Sequence, residues 1–351
     1  MPSLLLLIAY IASLQLLVFG DCAAQYPTRL LYQYPRVGNW IENAAVRRNG
    51  SILFTSLNSP AGLHTLDPFA DSSPVLVTNA FDGLNSTLGI VETVPDTFYV
   101  LASNFSLDLA TLGTQERSNA VYKVNSLETN SDGEPHVSLL TEMPQAKFLN
   151  GLTKFNDSLL LAADSDLGVL WAISTETGAS AIVAKDPLMA PRPQEGGGFR
   201  EGVNGVHARG RTVYFTNSQR RIFGRVALNE NAETEGPAVQ IATPAAEKGV
   251  ITDWDDFVVD REGSFAYVAT LAGNSVQRVD LRSGKVEIIA GGLNSTAIAG
   301  PTSVALGRNA RDRDVLYVMT TGGLAAPVYD DGEARQVGAQ IVAIDLCDRE
   351  S

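Results

Sequence analysis

Histidine and cysteine are scarce in this chain, with three His and two Cys among 351 residues. His64, His136 and His207 are too few and too scattered to read as a histidine-based metal centre. No Gly-x-Ser-x-Gly elbow, His-Glu-x-x-His pair or phosphate-cradling glycine loop occurs. Residues 196–202 are glycine-rich but lack the spacing of a dinucleotide fingerprint and follow no strand, so no organic cofactor is expected. There is no amphipathic helical stretch of useful length, and no run of Lys or Arg. With a formal net charge of −13, the surface repels phosphate backbones and anionic lipid, which argues against nucleic-acid and peripheral membrane partners. A hydrophobic content of 45 % with 19 % charged residues still provides for a sizeable core.

One long apolar run is present, over residues 4–20, followed at once by Asp21 and small residues. It reads as a secretory leader (1–20) ahead of a single mature domain (21–351). The alternative is a membrane anchor, because the run is near the minimum spanning length of about 17 residues. No second such run follows, so no anchor would survive cleavage. Five Asn-x-Ser/Thr sequons, at Asn49, Asn85, Asn104, Asn156 and Asn294, fit an exported glycoprotein, secreted or held in the secretory lumen. Cys22 and Cys347 lie near opposite ends. Cleavage after Gly20 leaves both available for a disulfide in an oxidising compartment; cleavage after Ala24 removes Cys22.

A short strand pattern recurs six times, at residues 51–56, 97–102, 158–163, 212–217, 265–270 and 315–320. Each is an apolar, β-branched and aromatic run that ends in a small or polar residue. A second apolar segment precedes each one, at 42–46, 89–93, 150–155, 204–208, 256–260 and 302–307, with turn residues between them. Third and fourth strands follow in most repeats. A period of roughly 50 residues with about four strands is the signature of propeller blades. The expected fold is therefore all-β, a six-bladed propeller of antiparallel four-stranded sheets. Strands from the two termini should share one blade and close the ring, since an open ring would expose unpaired edges. That closure would bring Cys22 near Cys347. Three segments, 103–117, 186–201 and 321–336, do not fit the repeat and are expected to serve as functional excursions.

Placed in register, the entrances of the inner strands hold Glu42, Gly89, Asn150, Asn204, Asp256 and Thr302. Two carboxylates and two carboxamides converging on one axis offer the hard oxygen ligands that Ca²⁺ or Mg²⁺ prefers. Asn-Gly and Asp are also ordinary turn residues at strand entrances.

On these residues the chain resembles the regucalcin/gluconolactonase family of six-bladed propellers. The resemblance implies one divalent cation bound by Glu42, Asn150, Asn204 and Asp256, with Asp256 doubling as general base in a lactonase. The lactonases place an Arg two residues before the first Asn, where this chain has Phe148. With Trp40 and Trp254 flanking Glu42 and Asp256, the expected mouth is aromatic and suited to apolar, polycyclic ligands. The segments around Trp40–Gly50, Val203–His207, Asp255–Phe257 and Gly300–Ser303 also resemble a group of secreted fungal propellers. That group includes hetero-Diels–Alderases, which join a tropolone quinone methide to a humulene-type terpene. Such a cycloaddition needs no nucleophile, only two apolar partners held in near-attack geometry. Among the inner-strand residues, Asp256 and His207 are the candidates for an acid–base pair that ejects water to make the quinone methide, with Arg209 or Thr302 as donors to the diene carbonyl. A metal-dependent lactone hydrolase and a non-catalytic binding propeller are the alternatives. Oligomeric state is not encoded in any of these features.

Overall fold

The computed structural model describes residues 25–58, 60–108, 111–129, 135–193 and 198–347. Six four-stranded antiparallel sheets are arranged as blades. Their innermost strands are Ile41–Val46, Ser86–Val94, Leu149–Lys154, Val203–Arg209, Phe257–Val259 and Pro301–Leu306. Each packs on the inner strands of its two neighbours, and blade six returns to blade one. The second strands are the apolar runs of the repeat, buried on both faces between adjacent blades. Leu160, Phe215, Val268 and Val318 are all inaccessible to solvent. That is why they read as continuous β-branched and aromatic runs rather than alternating ones.

The N-terminal strand Thr28–Gln33 pairs antiparallel with Gln340–Asp345, from Thr28 opposite Ile344 to Gln33 opposite Gln340. The chain's beginning thus supplies the outermost strand of blade six, and the ring closes as the edge argument requires. Cys22 and the leader-like run lie outside the described residues, so the expected disulfide and the expected cleavage do too; Cys347 is exposed. Among the described residues no helix is long and apolar enough to cross a membrane.

Basic side chains on one face strap five of the six blade junctions. Arg209 donates to the carbonyls of Asp260 and Arg261 (3.2 and 2.7 Å). Arg261 reaches Gly307 at 2.6 Å, and Arg308 reaches Val46 at 2.9 Å and ion-pairs with Glu92. Arg47 pairs with Asp96, and Lys154 donates to Thr93 at 2.9 Å. Charge-assisted bonds to backbone oxygen are among the stronger hydrogen bonds in a protein. Arg209 is therefore a strap on this face, and the expected role at the substrate carbonyl does not match its placement.

Asn49 and Asn294 are exposed and Asn156 is half-buried. Asn85 instead donates to the Phe105 carbonyl (3.0 Å) and accepts from the Phe105 amide (2.7 Å), while Asn104 accepts from the Asn85 amide (3.1 Å). These two side chains seat the first irregular segment.

Candidate functional site at the channel mouth

The strand pairings set the register of the site. Ala44, Ile90, Leu152, Val206, Phe257 and Val304 all sit opposite equivalent positions of the second strands. Just upstream the ladder slips in five of the blades, for example between Leu149 opposite Asp164 and Leu152 opposite Ala162. Two inner-strand residues there, Asn150 and Gly151, face one on the partner, Ala163, which is a bulge. Bulges re-aim side chains and are common beside active sites. Two residues upstream of the reference position lie Glu42, Leu88, Asn150, Asn204, Asp255 and Thr302. One residue upstream lie Asn43, Gly89, Gly151, Gly205, Asp256 and Ser303.

In blade five the same two-against-one step lies just before the strand, where Asp255 donates to the Ala269 carbonyl and Asp256 accepts from the Ala269 amide (3.0 Å each), so the carboxylate level with Glu42 is Asp255, not Asp256, and Leu88 replaces Gly89. Glu42, Asn150 and Asp255 line a cavity of about 340 Å³ together with Glu201. Asn43, Asp256 and His207 line a different cavity of about 390 Å³ at the far end. Between the two the channel narrows. A Cβ on Gly89 would come within 2.5 Å of the Asn150 carbonyl, and one on Gly151 within 2.5 Å of the Asn204 carbonyl. Only glycine admits so close a backbone approach. Asn43 spans the waist and donates to the Asp256 carboxylate at 2.5 Å.

Other expected residues are placed as follows. Trp254 is not on a rim: it has no exposed surface, packs edge-on to Phe223 and donates to Gln277 at 3.1 Å. The residue before the bulge points into the blade interface, so Trp254 is core. Thr302 is buried and spends its hydroxyl proton on the Ile41 carbonyl (2.8 Å), a link between blades six and one. His207 leans on Phe257. Burial pushes it down to about 4, which keeps it neutral at pH 7. It shares the far cavity with Asp256, away from Phe148 and Trp40.

Phe148 and Trp40 do line the cavity that holds Glu42. Phe148 lies 5.2 Å from Phe105 and 5.5 Å from Phe199, ring centre to ring centre, and Phe105 meets Phe199 edge-on at 6.1 Å. Phe105, Phe199 and Leu324 come from the three segments that break the repeat, so all three converge on this one mouth. Phe105 is the middle residue of a sequon and Phe199 lies in the glycine-rich stretch, and neither context points to an apolar wall. Their only signal in the sequence is membership of those segments.

The floor beneath this apolar wall is acidic. Glu42 is 7 % exposed; burial raises it to about 7, opposed by the Trp40 indole N–H at 2.5 Å and reinforced by Asp256. Glu201, which the sequence does not flag, is raised by burial, by Asp253 and by Glu42 to about 8. Burial and the surrounding carboxylates hold Asp255 well above the usual range. Burial lifts Asp256 to about 6, moderated by the Phe257 amide and Asn43. Like charges forced together out of water favour protons or a cation among them. Asn204 is 1 % exposed; its amide donates to Ser218 (3.0 Å) and Glu201 (3.3 Å), while its buried Oδ1 has no hydrogen-bond partner. Among the described residues no three His, Cys, Asp or Glu side chains converge on a metal-binding geometry. A cation here would thus depend on carboxamides, and the orphaned Asn204 oxygen fits that need.

No family model matches the chain. It is 27 % identical over 329 residues to a protein of Phoma sp named, provisionally, a hetero-Diels-Alderase; the match covers 87 % of this chain and 89 % of that one. A protein of Sarocladium schorii with the same provisional name is 27 % identical over 320 residues, covering 83 % and 77 % respectively. Among solved structures, a luciferin-regenerating enzyme superposes with a TM-score of 0.62 at 14 % identity, over 92 % of this chain and 96 % of its own. A gluconolactonase of Xanthomonas campestris gives 0.57 at 12 %, over 92 % and 91 %. The structural likenesses concern the fold alone, a six-bladed propeller.

Proposed function

We propose that the chain is an enzyme that steers a hetero-Diels–Alder cycloaddition between an ortho-quinone methide and the alkene of a humulene-type terpene. The observation that carries this reading is the convergence of the three irregular segments on one mouth. There they build an apolar, aromatic wall above a carboxyl and carboxamide floor. The cavity, about 340 Å³, falls at the low end of small-molecule sites. The relatives from Phoma sp and Sarocladium schorii support a cyclase role. In the cycloaddition one C–C and one C–O bond form while two π bonds are consumed, and nothing leaves. The protein is asked only to hold the partners, exclude water and polarise the diene carbonyl.

Phe105, Phe148 and Phe199 supply the apolar surface that replaces water around both partners. Asn150, on the floor, would donate from its carboxamide to the diene carbonyl. Trp40 fixes the Glu42 carboxyl through its indole N–H. Glu42, Asn150, Asn204 and Asp255 would hold one divalent cation, Ca²⁺ or Mg²⁺, which would act as a Lewis acid on the same carbonyl. Asp256 and His207 lie in the far cavity, and no proton is routed through them. The leader-like run and the exposed sequons support a setting in the secretory pathway or outside the cell.

The test runs cycloaddition and aldonolactone hydrolysis in parallel. An adduct ratio that departs from the enzyme-free mixture, without lactone turnover, is expected. Rapid lactone hydrolysis with an unaltered adduct ratio would assign the site to a metal-dependent hydrolase instead.

A further inference from the structure

The candidate cavity is chemically two-sided. Trp40, Phe105, Phe148 and Phe199 occupy its arc over blades one to four, and the three phenyl rings touch one another. They pack in one core cluster with Leu57, Leu107 and Leu112, which line the same arc of the cavity beside the rings. On the arc over blades five and six the wall consists of Leu271, Leu324 and Ala325, none of which belongs to that cluster. The carboxyl and carboxamide groups of Glu42, Asn150 and Asp255 lie below both sides.

We infer that the two walls are separate subsites: the aromatic arc seats a planar, conjugated ring and the aliphatic lip seats a flexible hydrocarbon. A flat conjugated ring gains from offset or edge-on contact with fixed phenyl rings, a geometry that a puckered hydrocarbon cannot use. A flexible hydrocarbon gains only from the area it buries, so it forfeits nothing on the lip, where no ring is offered. Because the polar floor reaches under the aromatic arc, the carbonyl of a planar enone would point down toward Asn150. Its reacting edge would then face the aliphatic lip. This assignment rests on the proposed cycloaddition for its meaning, since it fixes which partner lies on which side and hence the face that reacts. Phe199 and Leu324 are the specificity-determining residues, one for each subsite.

The experiment measures binding of two single probes, tropolone and α-humulene, by calorimetry to the full chain and to Phe199→Leu and Leu324→Ala. Melting curves confirm that both variants are folded. Phe199→Leu is expected to weaken tropolone by about tenfold and humulene by less than about twofold. Leu324→Ala should weaken humulene by about tenfold and leave tropolone unchanged. Equal losses for both probes in both variants, or a wild type that binds neither, would overturn the two-subsite assignment. The predicted pattern with an adduct ratio identical to the enzyme-free control would keep the subsites and reject the cycloaddition. Selective cycloaddition with no difference between the probes would do the reverse.

Discussion

Raising the pH should destabilise the cation-free protein between pH 6.5 and 8, and the floor of the candidate site is the reason. A carboxyl with a folded pKa above its unfolded one binds its proton more tightly in the native state. Its stabilisation is complete below the unfolded value and is lost as pH rises through the folded value. For Glu42, raised from 4.5 to about 7, the loss over this window is about 1 kcal/mol by linkage. Glu201, raised to about 8, and Asp255 act in the same direction. His207 has the opposite sign, because burial lowers it to about 4. It stabilises above its unfolded value near 6.5, so only about 0.4 kcal/mol of its gain is left to come in this window. The net effect is a loss. A melting temperature followed at pH 6.5, 7.2 and 8 in chelator should fall by a few degrees, at roughly 2 °C per kcal/mol for a chain of this size. Added Ca²⁺ should flatten the curve by exchanging for the protons, and Glu42→Gln should remove its share in chelator. A chelated protein as stable at pH 8 as at pH 6.5 would refute the description of the floor.

The bulged register predicts that Asp255→Asn lowers Ca²⁺ affinity by at least tenfold, whereas Asp256→Asn leaves the ion bound; calorimetric titration separates the two. Trp254→Ala should cost about 3–5 kcal/mol of stability, as a large core truncation does, and chemical denaturation would read that loss. Arg261→Ala should lower the melting temperature without altering probe binding, because the strap lies on the face opposite the candidate cavity.

The blades were legible because the second strands are buried on both sides and repeat with fixed turn chemistry between them. The closure was legible because an exposed edge has few alternatives. Even the excursions were visible as misfits to the period, although nothing in the sequence says that Phe105, Phe199 and Leu324 meet. The site was legible only to within one residue. In the run Trp254-Asp255-Asp256 two neighbouring carboxylates compete for one position, and an inserted bulge residue decides between them. Periodicity of two cannot resolve a bulge, so the sequence pattern favours Asp256 and a rim position for Trp254. Glu201 escaped notice because a lone loop glutamate has no motif; its character comes from burial and from neighbours distant in the chain. Arg209 shows the converse, an attractive polar residue whose donors are already taken by the next blade.

The central claim is that the wall of Phe105, Phe148 and Phe199 above the Glu42 and Asp255 floor positions two apolar reactants. The most direct measurement is the stereoisomer ratio of the adduct formed from a quinone methide and humulene with increasing amounts of wild-type protein and of Phe148→Arg. The account predicts that wild type moves the ratio away from the spontaneous one in proportion to enzyme, and that Phe148→Arg returns it toward the spontaneous value. A ratio equal to the spontaneous one at every wild-type concentration would contradict it.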